Sequence, residues 1–221
     1  MKKICLVVAL LATTLLATTT QAQDKATQAK IILDKLSAKT KKFTNLQSSF
    51  SFVMVNKAKK TSEKHEGTLW VKGDKYKLEL TGQTIISDGK TVWTYIKEAN
   101  EVQINNVDKN EEEGKITPRN IFTIYEKGFK YEFIKEELRN KVAIEIIKLF
   151  PLEPKKKAFH TAELAVNKLK NEVSSLVVNG RDGTVSTYSV KKMDAKTVIA
   201  DDIFVYNKAK YPTAEIVDLR D

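Results

Sequence analysis

The strongest constraint on the fold is a two-residue alternation of apolar and polar side chains that recurs along the chain. It occurs in residues 50–54, 76–80, 102–104, 129–133 and 144–146. Successive side chains of a strand point to opposite faces, so this pattern predicts strands with one apolar and one solvated face. Antiparallel sheets tolerate a solvated face, whereas parallel sheets are buried on both sides. The sequence therefore predicts a mainly β chain built on an antiparallel sheet.

Turn-forming residues separate these runs at intervals of about ten residues, as in an antiparallel meander or barrel. Glycine, asparagine and aspartate suit such turns because they tolerate positive φ. The pairs are Gly73-Asp74, Asp88-Gly89, Asn140-Lys141 and Asp182-Gly183. Residues 164–166 and 176–178 have no clear period, and the turn-like segment 168–171 between them favours two further strands.

Two segments have the pattern of helices. Residues 27–42 carry an apolar stripe that includes Ile31, Ile32 and Leu36, and residues 118–127 begin with a proline suited to the first helical turn. An open sheet of about ten strands must curl, split or be covered. We therefore predict a single half-open antiparallel β-barrel with both helices over its mouth or its concave face. Such a barrel encloses an apolar cavity unless large side chains fill it.

The N-terminus has the pattern of a secretory signal peptide. Two lysines precede an apolar stretch at residues 4–17, and the small residues Thr20 and Ala22 suit cleavage after position 22. We expect a signal peptide at 1–22 and one exported domain at 23–221. An uncleaved N-terminal anchor is the alternative interpretation. Cys5 lies within the signal, so the mature chain has no cysteine and no lipidated N-terminus.

Composition excludes several classes of site. With one Cys and two His, the chain has too few ligands for a Cys/His zinc site, an iron–sulfur cluster or a disulfide framework. It contains no G-x-S-x-G motif, and neither His65 nor His160 has a local catalytic partner pattern. The acids 111–113 with Asp108 lack the spacing of a calcium loop. The 28 acidic residues could contain a catalytic carboxylate pair, but no motif in the sequence points to a particular pair. We therefore predict no catalytic residues, metal or cofactor.

The chain is strongly basic. It has 38 Lys and Arg against 28 Asp and Glu, a formal net charge of +10. Lysines cluster at 39–42, 57–60 and 155–157, beside apolar segments. Nucleic-acid binding does not suit an exported chain without a basic and aromatic pattern. The positive charge is better explained by attraction to an anionic lipid surface or to an acidic partner. A simpler explanation is that it keeps a protein with an apolar cavity soluble.

Three motifs in a fixed order resemble one protein family. The first is Gly67-Thr68-Leu69-Trp70-Val71-Lys72, and the second is the hairpin Ser87-Asp88-Gly89-Lys90-Thr91-Val92-Trp93-Thr94-Tyr95. The third is Gly180-Arg181-Asp182-Gly183-Thr184. Together with the predicted signal peptide and the lack of cysteine, they resemble the LolA family, the periplasmic carriers of outer-membrane lipoproteins. The resemblance covers nearly the whole mature chain.

The resemblance implies an incomplete barrel closed by a helical lid, with a hydrophobic cavity for lipoprotein acyl chains. It implies a monomer in the periplasm that is loaded by an inner-membrane ABC transporter. Delivery would be to an outer-membrane receptor or to the outer membrane itself. Relatives often carry an arginine after the W-V-K run that is linked to cargo release, and here that position is Gly73. We expect Gly73→Arg to place a guanidinium beside the cavity rim.

The predicted site residues form two groups. The cavity residues are Phe50, Phe52, Trp70, Tyr76, Leu78, Leu80 and Trp93. The lid residues are assigned from the family resemblance and are Pro118, Ile121, Phe122, Ile124 and Tyr125. Plain core packing is the alternative role for the two tryptophans, because large aromatics fill both cores and cavities.

These observations predict a non-enzymatic lipoprotein carrier that binds acyl chains and moves lipoproteins from the inner to the outer membrane. The alternatives on the same fold are a lipid- or lipoprotein-sensing envelope regulator and a glycolipid carrier.

Overall fold

The computed structural model describes residues 24–107, 116–118 and 120–220, so the predicted signal peptide and the acidic run at 111–113 lie outside it. One α-helix, α1, covers residues 24–40. The strands are β1 (Leu46–Asn56), β2 (Thr61–Lys72), β3 (Lys75–Leu80), β4 (Gln83–Ser87), β5 (Thr91–Ile96), β6 (Glu101–Asn106), β7 (Phe129–Arg139), β8 (Val142–Pro151), β9 (Phe159–Asn167), β10 (Glu172–Gly180), β11 (Thr184–Asp194) and β12 (Glu215–Asp218). Short 3-10 helices lie at Ile124–Glu126, Pro154–Lys156, Asp201–Phe204 and Lys208–Lys210.

The 12 strands form one sheet in the order β12-β6-β5-β4-β3-β2-β1-β11-β10-β9-β8-β7. Strands β1–β6 and β7–β11 are two antiparallel meanders, joined where β1 pairs with β11. Strand β12 pairs in parallel with β6 and forms one edge, while β7 forms the other. The sheet is therefore an incomplete barrel, which confirms the predicted fold class. The predicted turns are also present, with positive φ at Gly73, Gly89, Asn140, Lys141 and Gly183.

The strands run between two ends of the barrel, which we call the base and the rim. The base is the end at which α1 leads into β1, and it includes the turns at 73–74, 88–90, 140–141 and 168–171. The rim is the opposite end, and it includes the turns at 57–60, 152–158 and 181–183.

Helix α1 packs on the concave face of the sheet. It buries residues spaced i, i+3, i+4 and i+7, which form one stripe of an α-helix: Ala29, Ile32, Leu33 and Leu36. This stripe joins the main core cluster with the inward residues of the sheet. Ile31, which was predicted to lie in the stripe, is 51% exposed. The helix ends at residue 40, two residues before the predicted end, because residues 41–42 form a turn.

The convex face is covered on one side by the C-terminal segment. The 3-10 helix Asp201–Phe204 contacts β3 and β4, and Phe204 is completely buried. Further along, Tyr206 stacks on Trp93 of β5 with 6.5 Å between ring centroids, and Tyr211 packs on Tyr95 at 4.4 Å. The segment then adds β12 to the sheet edge. The C-terminal segment therefore covers strands β3–β5 on the convex face.

A second segment covers the concave face beside α1. We call residues 116–118 and 120–126 the covering segment. A helix was predicted over 118–127, but only Ile124–Glu126 is helical, and it is a 3-10 helix. The side chains of Thr117 and Asn120 bond to each other's backbone N–H, at 3.3 and 2.9 Å. These two bonds form a capping box of the kind that begins a helix. The backbone N–H groups of Thr123 and Glu126 then donate to the carbonyl oxygens of Asn120 and Thr123, three residues back, so the segment continues as tight turns and not as an α-helix.

Candidate functional site

A cavity of about 230 Å³ lies between the concave face and the covering segment. The sheet contributes most of its wall, and almost all of the side chains are apolar. The residues from the sheet are Phe50, Phe52, Leu69, Leu78, Leu80, Ile85, Val173, Leu176, Tyr188, Ser189 and Val190. Those from the covering segment are Ile116, Thr117, Pro118, Ile121 and Phe122. Such a wall favours an apolar guest that is recognised by burial.

Strand register explains why the wall is apolar. Leu69 faces Leu78 across β2 and β3, and Leu78 faces Ile85 across β3 and β4. Directly opposed residues of an antiparallel pair share a face, so this row crosses three strands on the concave side. Their neighbours in each strand point outward.

One glycine shapes the wall at β2. Gly67 lies opposite both Phe50 of β1 and Leu80 of β3. A Cβ built at this position would lie 2.3 Å from the carbonyl oxygen of Glu79 and 3.2 Å from Cζ of Phe50. Only glycine lets the Phe50 ring and the neighbouring strand approach so closely.

An aromatic stack forms the rim side of the cavity. Phe52 of β1 stacks on Tyr188 of β11, with ring centroids 4.8 Å apart. His65 lies on the other side of Phe52, at 6.1 Å. Burial raises the pKa of the Tyr188 phenol, so this side chain stays uncharged at neutral pH.

The covering segment is attached to α1 at one end and reaches over the cavity at the other. The Ser37 hydroxyl donates a hydrogen bond to the Glu126 carboxylate, and Lys41 lies 3.8 Å from the same group. Tyr125 is 3% exposed, and its burial raises the pKa of the phenol to about 12. Phe122, at 7% exposure, belongs to the cavity wall. The segment thus combines a fixed end with an apolar end that occupies part of the concave face.

The structure places the predicted residues in three locations. The cavity wall holds Phe50, Phe52, Leu78, Leu80, Pro118, Ile121 and Phe122. The adjoining buried core, outside the wall, holds Tyr76, Ile124 and Tyr125. The convex side of the sheet holds Trp70 and Trp93.

The expectation that both tryptophans are near the cavity is wrong. Trp70 alternates with Leu69, which is in the wall, so the indole points to the opposite face. There the Lys77 ammonium lies 5.3 Å from the Trp70 ring, and Tyr206 stacks on Trp93. The two tryptophans pack against the outer side of the barrel. Intrinsic tryptophan fluorescence is therefore a poor reporter of the cavity.

The position that relatives fill with arginine is also remote from the cavity. Gly73 lies in the β2–β3 turn at the base, with a φ of +57° and no heavy atom within 4 Å of the place that a Cβ would take. Gly73→Arg would therefore place a guanidinium in solvent at the base and not beside the cavity.

Sequence reasoning missed the wall residues of β10 and β11. Tyr188 and Val190 alternate with Thr187 and Ser189, and the same two-residue pattern would have found them. Among the described residues, no group of three His, Cys, Asp or Glu side chains is arranged to hold a metal.

An incomplete barrel around an apolar cavity defines a class of binding and carrier proteins. Residues 41–207 match the family described as "Outer membrane lipoprotein carrier protein LolA". The match covers well over half of the chain, so the chain belongs to the LolA family. No protein with a curated description matches the sequence.

Several solved structures are similar to this chain at low sequence identity. An uncharacterised conserved protein from Thermus thermophilus is 14% identical, with a TM-score of 0.56 over 86% of this chain and 99% of that chain. A Vibrio parahaemolyticus domain described as an outer membrane lipoprotein-sorting protein is 12% identical, with a TM-score of 0.45 over 86% and 99% of the two chains. The Mycobacterium tuberculosis lipoprotein LppX is 12% identical, with a TM-score of 0.48 over 77% and 98%.

In the part of the chain that the structure describes, the helices are too short or too polar to cross a membrane.

Proposed function

We propose that this protein is a periplasmic carrier that holds the acyl chains of lipoproteins in the cavity and moves them from the inner to the outer membrane. The apolar wall around the 230 Å³ cavity is the observation that carries the proposal. Membership of the LolA family supports it. In this proposal residues 1–22 are a signal peptide and residues 23–221 act as one carrier domain.

The covering segment acts as a lid in this mechanism. The cavity is about 230 Å³, smaller than the roughly 300–1,000 Å³ of typical ligand pockets. An acyl chain therefore has to displace Ile121 and Phe122 from the concave face. Each buried methylene contributes about 0.8 kcal/mol, and displacement of the lid subtracts from that sum. The lid thus keeps affinity low enough for release to an acceptor membrane, without ATP use by the carrier.

The proposed partners follow from the family. The donor is an inner-membrane ABC transporter, and the acceptor is an outer-membrane receptor or the membrane itself. The protein works as a monomer, without a cofactor, and catalyses no reaction. The mostly apolar wall suits a guest that is held by burial of its acyl chains.

A charged substitution in the wall tests the proposal. Leu80 is only partly buried, so Leu80→Glu should fold, yet it places an unpaired carboxylate in the apolar cavity. We expect saturable binding of a fluorescent fatty acid to weaken by roughly 100-fold. Thr81→Glu is the matched control, because it adds the same charge one residue away at an exposed position. Equal binding by both variants, or no saturable binding by the wild type, would contradict the proposal.

A further inference from the structure

The rim of the barrel carries a concentrated positive charge. Its turns at 57–60, 152–158 and 181–183 contain seven basic residues and two acidic ones. The basic residues are Lys57, Lys59, Lys60, Lys155, Lys156, Lys157 and Arg181. We call these three turns the basic rim.

Hydrogen bonds hold the three turns together as one surface. The Asn56 side-chain amide donates to the carbonyl oxygen of Asp182 at 3.1 Å, which joins the first turn to the third. The Arg181 guanidinium donates to the carbonyl oxygens of Lys157 and Pro154, at 3.1 and 2.6 Å, which joins the third turn to the second. The backbones of the three turns, from which the lysines project, are therefore held side by side at one end of the barrel.

Most of this charge is not neutralised within the described residues. Lys57, Lys60 and Lys155 are exposed, and no ion pair links them to a described acid. Of the two acids, Glu153 pairs with Lys156 at 2.9 Å. The carboxylate of Asp182 accepts hydrogen bonds from the backbone and hydroxyl of Thr184, at 3.0 and 2.8 Å. The Lys157 ammonium lies 5.5 Å from the Phe129 ring centroid.

The base differs from the rim in how its lysines are used. Lys72 and Lys75 both pair with Asp201, at 3.2 and 2.9 Å. Lys39 pairs with Glu172 at 2.8 Å, and Lys168 pairs with Glu136 at 2.7 Å. These four lysines of the base thus stabilise the fold through ion pairs, whereas Lys57, Lys60 and Lys155 of the rim are exposed to solvent.

The basic rim also borders a path to the cavity. A second, open groove is lined by Gly180, Asp182 and Thr184 from the rim and by Ile116 and Tyr188. Ile116 and Tyr188 also belong to the cavity wall, so the groove continues the cavity toward the rim. Leu152, 55% exposed, adds an apolar side chain among the lysines. Cationic residues around an exposed leucine are suited to the interface of an anionic membrane.

We propose that the basic rim docks on the surface of an anionic lipid bilayer and turns the cavity toward the membrane. Charge complementarity carries the proposal, because lysines close to anionic headgroups attract them within about one Debye length. The proposal extends the carrier function proposed above. Its test uses the protein without cargo, so membrane docking and acyl binding can fail independently.

The test is co-sedimentation with vesicles of phosphatidylcholine, with and without phosphatidylglycerol. The rim variant is Lys57→Glu/Lys60→Glu/Lys155→Glu. The matched control is Lys90→Glu/Lys141→Glu/Lys170→Glu, which makes the same charge change at three exposed turn positions of the base. The two variants are also matched in backbone conformation, because Lys60 in the rim set and Lys141 in the base set both have positive φ, at 54° and 65°. Thermal melts confirm that both variants fold, and lysine-to-glutamine versions of each set give the effect of neutralisation alone.

We expect the wild type to bind phosphatidylglycerol vesicles and to be released by high salt. The rim variant should lose at least about tenfold in partitioning, and the base variant less than about threefold. Equal losses in the two variants would mean that net charge alone attracts the protein, which would overturn the proposal. Equal binding to vesicles without phosphatidylglycerol, or no binding by the wild type, would also overturn it.

Discussion

Replacing Phe122 by alanine is expected to destabilise the empty protein and to tighten its binding of an acyl ligand. Phe122 is 7% exposed and lies in the cavity wall, so the substitution removes a ring that fills the concave face when no guest is present. A Phe→Ala change at such a buried site costs about 3 kcal/mol. An incoming acyl chain no longer has to displace that ring. If the substitution destabilises the empty, closed state but not the loaded state, the apparent Kd falls. Each 1.4 kcal/mol of that difference lowers it about tenfold.

The measurement combines two assays on Phe122→Ala. Chemical denaturation gives the free energy of unfolding of the empty and loaded protein, and a fluorescent fatty acid gives the dissociation rate. We expect slower dissociation and a smaller stability loss in the loaded state than in the empty state. Weaker ligand binding by the variant, with the stability of the empty protein unchanged, would show that Phe122 is a cargo contact and not a plug.

Replacing Phe204 by alanine should destabilise the fold by a similar amount without changing acyl affinity. Phe204 is completely buried in the 3-10 helix that contacts β3 and β4 on the convex side. Loss of this ring costs about 3–5 kcal/mol, because the rigid sheet cannot collapse into the space it leaves. Since the cavity lies on the opposite face, the substitution removes stability but leaves the wall intact.

This variant is the control for Phe122→Ala, and it is measured with the same denaturation and ligand assays below its melting temperature. Unchanged affinity in Phe204→Ala beside tighter affinity in Phe122→Ala would separate the lid from general loosening of the fold. Tighter binding in both variants would mean that reduced stability alone opens the cavity, and the lid mechanism would then be wrong.

The alternation of side chains was sufficient to predict the sheet but not always its inward face. Phe50, Leu78 and Leu80 lie between polar residues and Phe52 follows Ser51, so the pattern selects their face, and all four are in the cavity wall. In the first motif, Gly67 to Lys72, Leu69 and Trp70 are adjacent and both are large and apolar. The sequence could not select between them, because the C-terminal segment gives the convex face a hydrophobic cover of its own.

The covering segment shows a second limit of sequence reasoning. Pro118 and the spacing of Ile121, Phe122 and Tyr125 predicted a helix, but a helix of about ten residues is marginal without tertiary support. Thr117 and Asn120 form a capping box, but the backbone N–H groups of Thr123 and Glu126 bond to carbonyl oxygens three residues back, so the segment forms turns. Burial of Phe122 followed from the packing of the segment on the sheet, which local propensity does not encode.

The central claim is that the cavity takes the acyl chains of lipoproteins, and native mass spectrometry with a triacylated lipopeptide tests it most directly. The comparison ligand is the same peptide without acyl chains, and Leu80→Glu serves as the protein with a disrupted wall. We predict a one-to-one complex of the wild type with the triacylated peptide alone, and little complex with Leu80→Glu. Equal binding of the two peptides, or no complex with the acylated one, would contradict the claim and favour a sensor or a glycolipid carrier on the same fold.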